Sequence, residues 1–90
     1  MSAGQITQGR RVFAEHGTPL KMEPGDYHKG ADERWFWKVP NSDEISMQSS
    51  AHVVTEHEDG TITVANSIGH PAGGPYTWHG YLEHGVWREV

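Results

Sequence analysis

The chain contains no cysteine, so neither a disulfide framework nor a thiolate metal site is open to it. No run of apolar residues reaches membrane-spanning length, and no charged-then-apolar signal segment opens the sequence. A soluble protein with no membrane partner is expected. A basic stripe is missing as well. Six basic residues (Arg10, Arg11, Lys21, Lys29, Arg34, Lys38) precede Val39, where Glu15, Glu23, Asp26, Asp32 and Glu33 offset them to about +1. From Val39 onward Arg88 alone opposes seven acids, which accounts for the overall net charge of −5. Binding a phosphate backbone needs clustered cations, so duplex nucleic acid is not an expected partner. The acids lie scattered through turns rather than in a tract, which also weighs against a mimic of nucleic acid.

Aliphatic side chains are scarce too. Ninety residues make one small domain, and four Trp, three Tyr and two Phe must supply much of its buried area. Each aromatic side chain buries roughly 150–250 Å². Eleven Gly and five Pro call for many turns, hence short strands rather than long helices.

What is present is hairpin chemistry. In Ala51 to Ile68 two β-prone runs flank Asp59-Gly60, a dipeptide that takes the positive φ values of a tight turn. With Asp59 and Gly60 as a two-residue loop, Val53, Ile62, Val64 and Ile68 gather on one face. Glu56, Glu58, Thr61, Thr63 and His52 gather on the other. Tyr76 to Val90 reads as a second hairpin with a three-residue loop, Glu83-His84-Gly85. That register places Trp78, Leu82, Val86 and Val90 on one face, with His79, Tyr81 and Trp87 on the other. Arg34 to Val39 is a further strand, with Trp35, Trp37 and Val39 on one side and Phe36 on the other. Pro24-Gly25 marks a turn. The expectation is a mainly β fold: a small antiparallel sheet of about five strands, curled or barrel-like, hairpin-rich, with an irregular N-terminal segment. Residues 1–21 form the loosely packed lead and 22–90 the single β domain.

Histidine is the first candidate for chemistry, as His52, His57, His70, His79 and His84 lie among Glu56, Glu58 and Asp59. Residues five apart on a strand point to opposite faces, and no His-x-His pair exists, so a metal site would need assembly across strands. Acid–base catalysis at Glu56-His57-Glu58-Asp59 is disfavoured because these groups crowd an exposed turn. Ser49, Ser50 and Ser67 lack a nucleophile-elbow context. The aromatic surplus is the stronger signal. Two strands are apolar on both sides, and one sheet cannot hide both faces of each unless something covers the second.

The run Glu23-Pro-Gly-Asp-Tyr27, then a Trp-rich strand, Pro40-Asn41, the segment from His52 to Val64 carrying Glu58-Asp-Gly-Thr-Ile-Thr-Val64, Ser67-Ile68 and Trp78-His-Gly-Tyr-Leu82 with Gly85-Val-Trp-Arg88 resembles a family of uncharacterised small proteins encoded by actinobacterial phages and their hosts. The resemblance spans about residues 22 to 90, and Asn66 stands where such proteins often carry Pro. It implies a phage accessory protein in the cytoplasm of a bacterial host, such as an inhibitor of a host protein or a sponge for signal nucleotides.

The resulting expectation is a non-enzymatic binding module for a small planar ligand or a host protein, with no catalytic residue, metal or cofactor assigned. Trp37, Tyr81 and Trp87 would supply stacking, and Lys38, His79 and Arg88 charge and hydrogen bonds. The alternatives are a small metal-dependent enzyme using the histidines and carboxylates, or a structural virion protein that self-associates as a homo-oligomer.

Overall fold

The computed structural model describes residues 5–14, 20–71 and 74–90. Among these residues ten short strands form three separate sheets rather than one curled sheet of about five strands, and none of the three closes into a barrel. The first sheet runs in the order β1 (Ile6–Gln8), β10 (Val86–Glu89), β9 (Trp78–Glu83), β8 (Ile68–His70). The second runs β2 (Arg10–Arg11), β3 (Asp26–Lys29), β4 (Trp35–Trp37), β5 (Ser46–Met47). The third is the hairpin β6 (Val53–Glu56) and β7 (Ile62–Ala65). The frequent turns cut the ladders short, so each strand pairs over only a few residues. The chain then passes to another layer instead of extending one continuous sheet.

The N-terminal stretch is more regular than its composition indicates. β1 lies antiparallel to β10, and β2 lies parallel to β3. Gly9 joins them and is the seam between the two sheets. Its N–H donates to the Gly85 carbonyl at 2.8 Å, and the Arg10 N–H to the Gly25 carbonyl at 3.2 Å. A Cβ at Gly9 would lie 2.6 Å from the Gly85 carbonyl oxygen, so the crossing needs glycine for close approach rather than for its dihedral angle. At the foot of β3, Glu23-Pro24-Gly25-Asp26 forms the expected turn: the Asp26 N–H bonds the Glu23 carbonyl at 2.9 Å, and Gly25 takes φ +96°.

Both hairpins exist, but their loop lengths are the reverse of those read from sequence. In the first, Glu56 faces Ile62 and Val54 faces Val64, and His57 donates to the Thr61 carbonyl, leaving Glu58-Asp59-Gly60 as a three-residue loop. The Gly60 N–H bonds the His57 carbonyl at 3.0 Å, and only Gly60 takes a positive φ, as in a type I turn followed by a bulged glycine. Asp59 stays out of the left-handed region because its Oδ1 accepts the Thr61 N–H (3.0 Å) and hydroxyl (2.6 Å). The register therefore moves by one residue. Val54 turns inward and Val53 is left 62% exposed.

In the second hairpin Glu83 faces Val86 and Leu82 faces Trp87, so His84-Gly85 is a two-residue loop. Both residues have positive φ, +48° and +77°, which is the primed turn that fits strand twist. That register carries Trp87 inward with Leu82 and Trp78, against the expectation that it faced away.

The core gathers residues from all three sheets: Tyr27, Trp35 and Trp37 from the second, Ile68, Trp78, Leu82 and Trp87 from the first, Ile62 and Val64 from the third, together with Val39. Trp78 and Trp87 meet edge to face at 5.4 Å, and the Trp87 indole N–H donates to the Gly25 carbonyl at 2.8 Å. All four tryptophans are at most 4% exposed. The aromatic surplus is thus absorbed between layers, which a single sheet could not have done.

Candidate functional site

Of the six residues expected to bind a ligand, the structure brings three together. Trp37 and Trp87 are fully buried, and no planar ligand reaches their faces. The Lys38 ammonium donates to the Met22 carbonyl at 2.9 Å. His79, Tyr81 and Arg88 share the outer side of the first sheet, opposite the core-facing Trp78, Leu82 and Trp87.

Strand alternation puts His79 and Tyr81 on that outer side, and the β9–β10 register sets Arg88 beside Tyr81. The Arg88 guanidinium lies over the Tyr81 ring at 5.3 Å and donates to Glu83 Oε1 at 3.1 Å. His79 Nε2 is hydrogen-bonded to the Ser67 hydroxyl at 2.9 Å. Tyr76 stacks on the His79 ring at 5.0 Å with the planes 12° apart. Gly69, the cross-strand partner of His79, makes room for this stack, since a Cβ there would strike the Tyr76 ring. Tyr76 remains 52% exposed and Ile6, opposite Arg88 on β1, 62% exposed. Sequence reasoning missed Tyr76. The available signal was a glycine at the strand position facing a histidine, beside an aromatic residue after a Pro- and Gly-rich loop.

The electrostatics of this face are muted. Arg88 is its one cation among the described residues, and Glu83 neutralises it. Two clefts lie elsewhere. One of about 480 Å³ is lined by Asp32, Glu33, Arg34, Gln48, Ser49 and Ser50. Another of about 230 Å³ is lined by residues that include Arg11, Phe13, Tyr27 and Asp59. Beside the second, the Arg11 guanidinium sits 4.9 Å from both the Phe13 and Trp35 rings and donates to Glu56 at 2.8 Å. Lys29 donates to the other Glu56 oxygen at 3.2 Å. These hydrogen bonds, from Arg11 and then Lys29, hold the Glu56 carboxyl below its ordinary range. Burial pushes the Tyr27 hydroxyl up.

Among the described residues the histidines do not converge on a common point. His57 and His84 stack face to face at 3.9 Å, a geometry that points their in-plane lone pairs past any shared ion. The His52 ring nitrogens bond Ser49 and the Ser67 carbonyl. Among the described residues no group of three His, Asp or Glu side chains stands close enough to hold a metal ion. Comparison with protein-family models, curated proteins and solved structures gives no match.

Proposed function

We propose that the chain is a binding module that engages a protein partner through the outer face of its first sheet. The observation that carries this reading is the pair of adjacent ring assemblies there, Tyr76 on His79 and Arg88 on Tyr81. Both are held in place by their own neighbours, so little side-chain freedom remains to be lost on association. Tyr and Arg are the residue types that dominate binding energy at interfaces. None of these residues lines the clefts of about 480 and 230 Å³ described above. A nucleotide is disfavoured further by the neutralised Arg88 and the net charge of −5. The resemblance to phage-encoded proteins supports, by analogy alone, a blocker of a host protein in the bacterial cytoplasm.

The test compares the chain with a Tyr76→Ala, Tyr81→Ala, Arg88→Ala triple variant of matched melting behaviour, each used to capture a partner from host cells. A partner held by the parent and lost by the variant is the expected result. Equal capture by both overturns the assignment of the face. A parallel thermal-shift screen with cyclic and linear nucleotides is expected to show no stabilisation, and a shift abolished by Tyr76→Ala would replace the protein partner with a planar ligand.

A further inference from the structure

The free edges of the first two sheets meet at β8 and β5, where Glu44 and Ser46 from one stretch and His70 from a distant one form one hydrogen-bonded line. The Ser46 hydroxyl lies 2.7 Å from His70 Nδ1, and His70 Nε2 lies 3.1 Å from Glu44 Oε1. Each member is fixed by its element. Ser46 sits on β5 across from Trp37, so its side chain points inward, and it is half-buried. His70 sits on β8 across from Trp78, is 8% exposed, and has its carbonyl held by the Thr77 N–H and hydroxyl. Glu44 follows a turn locked by the Ser42 hydroxyl, which accepts the Glu44 N–H at 3.0 Å. A glutamate is ionised at neutral pH, and an ionised carboxylate only accepts. It therefore draws the imidazole proton to Nε2 and leaves the Nδ1 lone pair facing the Ser46 hydroxyl. That is the polarity a general base needs.

We propose that Ser46 is a nucleophile activated by His70, with Glu44 as the positioning residue, and that it accepts an acyl group from small activated esters. In the step, Ser46 Oγ bonds to the acyl carbon while its proton passes to His70 Nδ1, and the carbonyl oxygen takes the negative charge. As that charge collapses, the bond to the leaving oxygen breaks and His70 returns the proton to it, giving an alcohol and an acyl ester on Ser46. The Gln48 N–H pairs to β4 at the Trp35 carbonyl. Ladder alternation therefore turns the Met47 N–H, next after the nucleophile, off the open edge as the donor available to the oxyanion. The site stands on the inner side of β8 and does not rest on the binding face described above.

The rival account is that the same hydrogen bonds merely tie two sheet edges together. Incubation of the full chain with p-nitrophenyl acetate, followed by intact-mass analysis and peptide mapping, separates the two. The expected result is one acetyl group on Ser46. Ser46→Ala abolishes the adduct, and His70→Gln slows it about 10²-fold, the lower end of what a general base contributes. Glu44→Gln, an exposed change that leaves folding intact, slows it less, and Glu44→Asp restores part of the rate. An unmodified Ser46 in the wild-type chain overturns the proposal, even if Ser46→Ala lowers the melting temperature. So does acetylation confined to lysine or to the other histidines.

Discussion

The two long hairpins sit tip to tip yet close their turns by different means. In β6–β7 the loop is held by its own side chain, Asp59 binding Thr61 twice. In β9–β10 the loop is held by the other hairpin: Gly85 donates to the Ile62 carbonyl, and His84 donates to the Thr63 hydroxyl while stacking on His57. The first turn is set by local chemistry, with one outside bond from Arg11 to the Gly60 carbonyl at 3.1 Å, and the second is set by tertiary structure. The interiors differ likewise. The second hairpin contributes Trp78, Leu82 and Trp87 to the core, while the first contributes Ile62 and Val64.

Breaking this contrast at its strongest point gives the largest effect. Trp87→Ala leaves a void and takes the indole hydrogen bond from the Gly25 carbonyl, which keeps only the Arg10 N–H, so it is expected to cost at the upper end of about 3–5 kcal/mol in urea unfolding. Ile62→Ala, in the first hairpin, should lie nearer the low end of about 2–5 kcal/mol. Equal losses would mean that the two hairpins share the core evenly. Next come the loop glycines. Gly60→Ala meets nothing within 4 Å and pays only for φ +89°, about 1–2 kcal/mol for a left-handed residue. Gly85→Ala has the same backbone strain and also brings a Cβ 2.9 Å from both the Tyr27 hydroxyl and Thr61 Cγ2. Its thermal midpoint should therefore fall clearly further.

A smaller effect is pH-dependent. The Thr61 hydroxyl, then its N–H, hold the Asp59 carboxyl below its ordinary 3.8. A depressed carboxyl stabilises the fold fully above its unfolded value, and that contribution is lost as pH falls from 3.8 through the folded value. Asp59→Asn should flatten the acid limb of the stability curve there and leave the neutral region little changed. Acid titrations of the two proteins that superimpose would remove Asp59 from the turn's energetics. Smallest of all is His84→Asn. Asn tolerates φ +48° and keeps the backbone bond to Thr63, so only the stack on His57 is lost. A midpoint within a few tenths of a kcal/mol of the parent is expected on this account. A large loss would show that the imidazole pair, rather than the backbone, joins the tips.

The hairpins themselves were legible in sequence, because Asp59-Gly60 and His84-Gly85 punctuate β-prone runs. Their registers were not. Asp-Gly signals a two-residue loop by dipeptide preference, but Thr61 captures Asp59 and keeps it right-handed. His84 is an unusual residue for a positive φ until His57 and Thr63 are beside it. A slip of one residue decides which side chains are buried, and this is why Trp87 was assigned to the surface. Trp35, Trp37 and Val39 were read correctly as sharing a face, yet the layer that covers them comes from β7 to β10. Ile6–Gln8 shows no hydrophobic period because its backbone, rather than its side chains, finds β10. His70 could not be connected to Glu44 and Ser46, since it lies 24 positions beyond the serine.

The Gly9 seam makes one short ribbon the outermost strand of two sheets at once. Lifting residues 5 to 11 would strip the guard from β10 and from β3 in a single motion, leaving two rows of unpaired amides open to other chains. Solubility and the integrity of the fold are therefore governed by the same few residues, and the chain's defence against sticking to itself is written near its beginning rather than in its acidic second half.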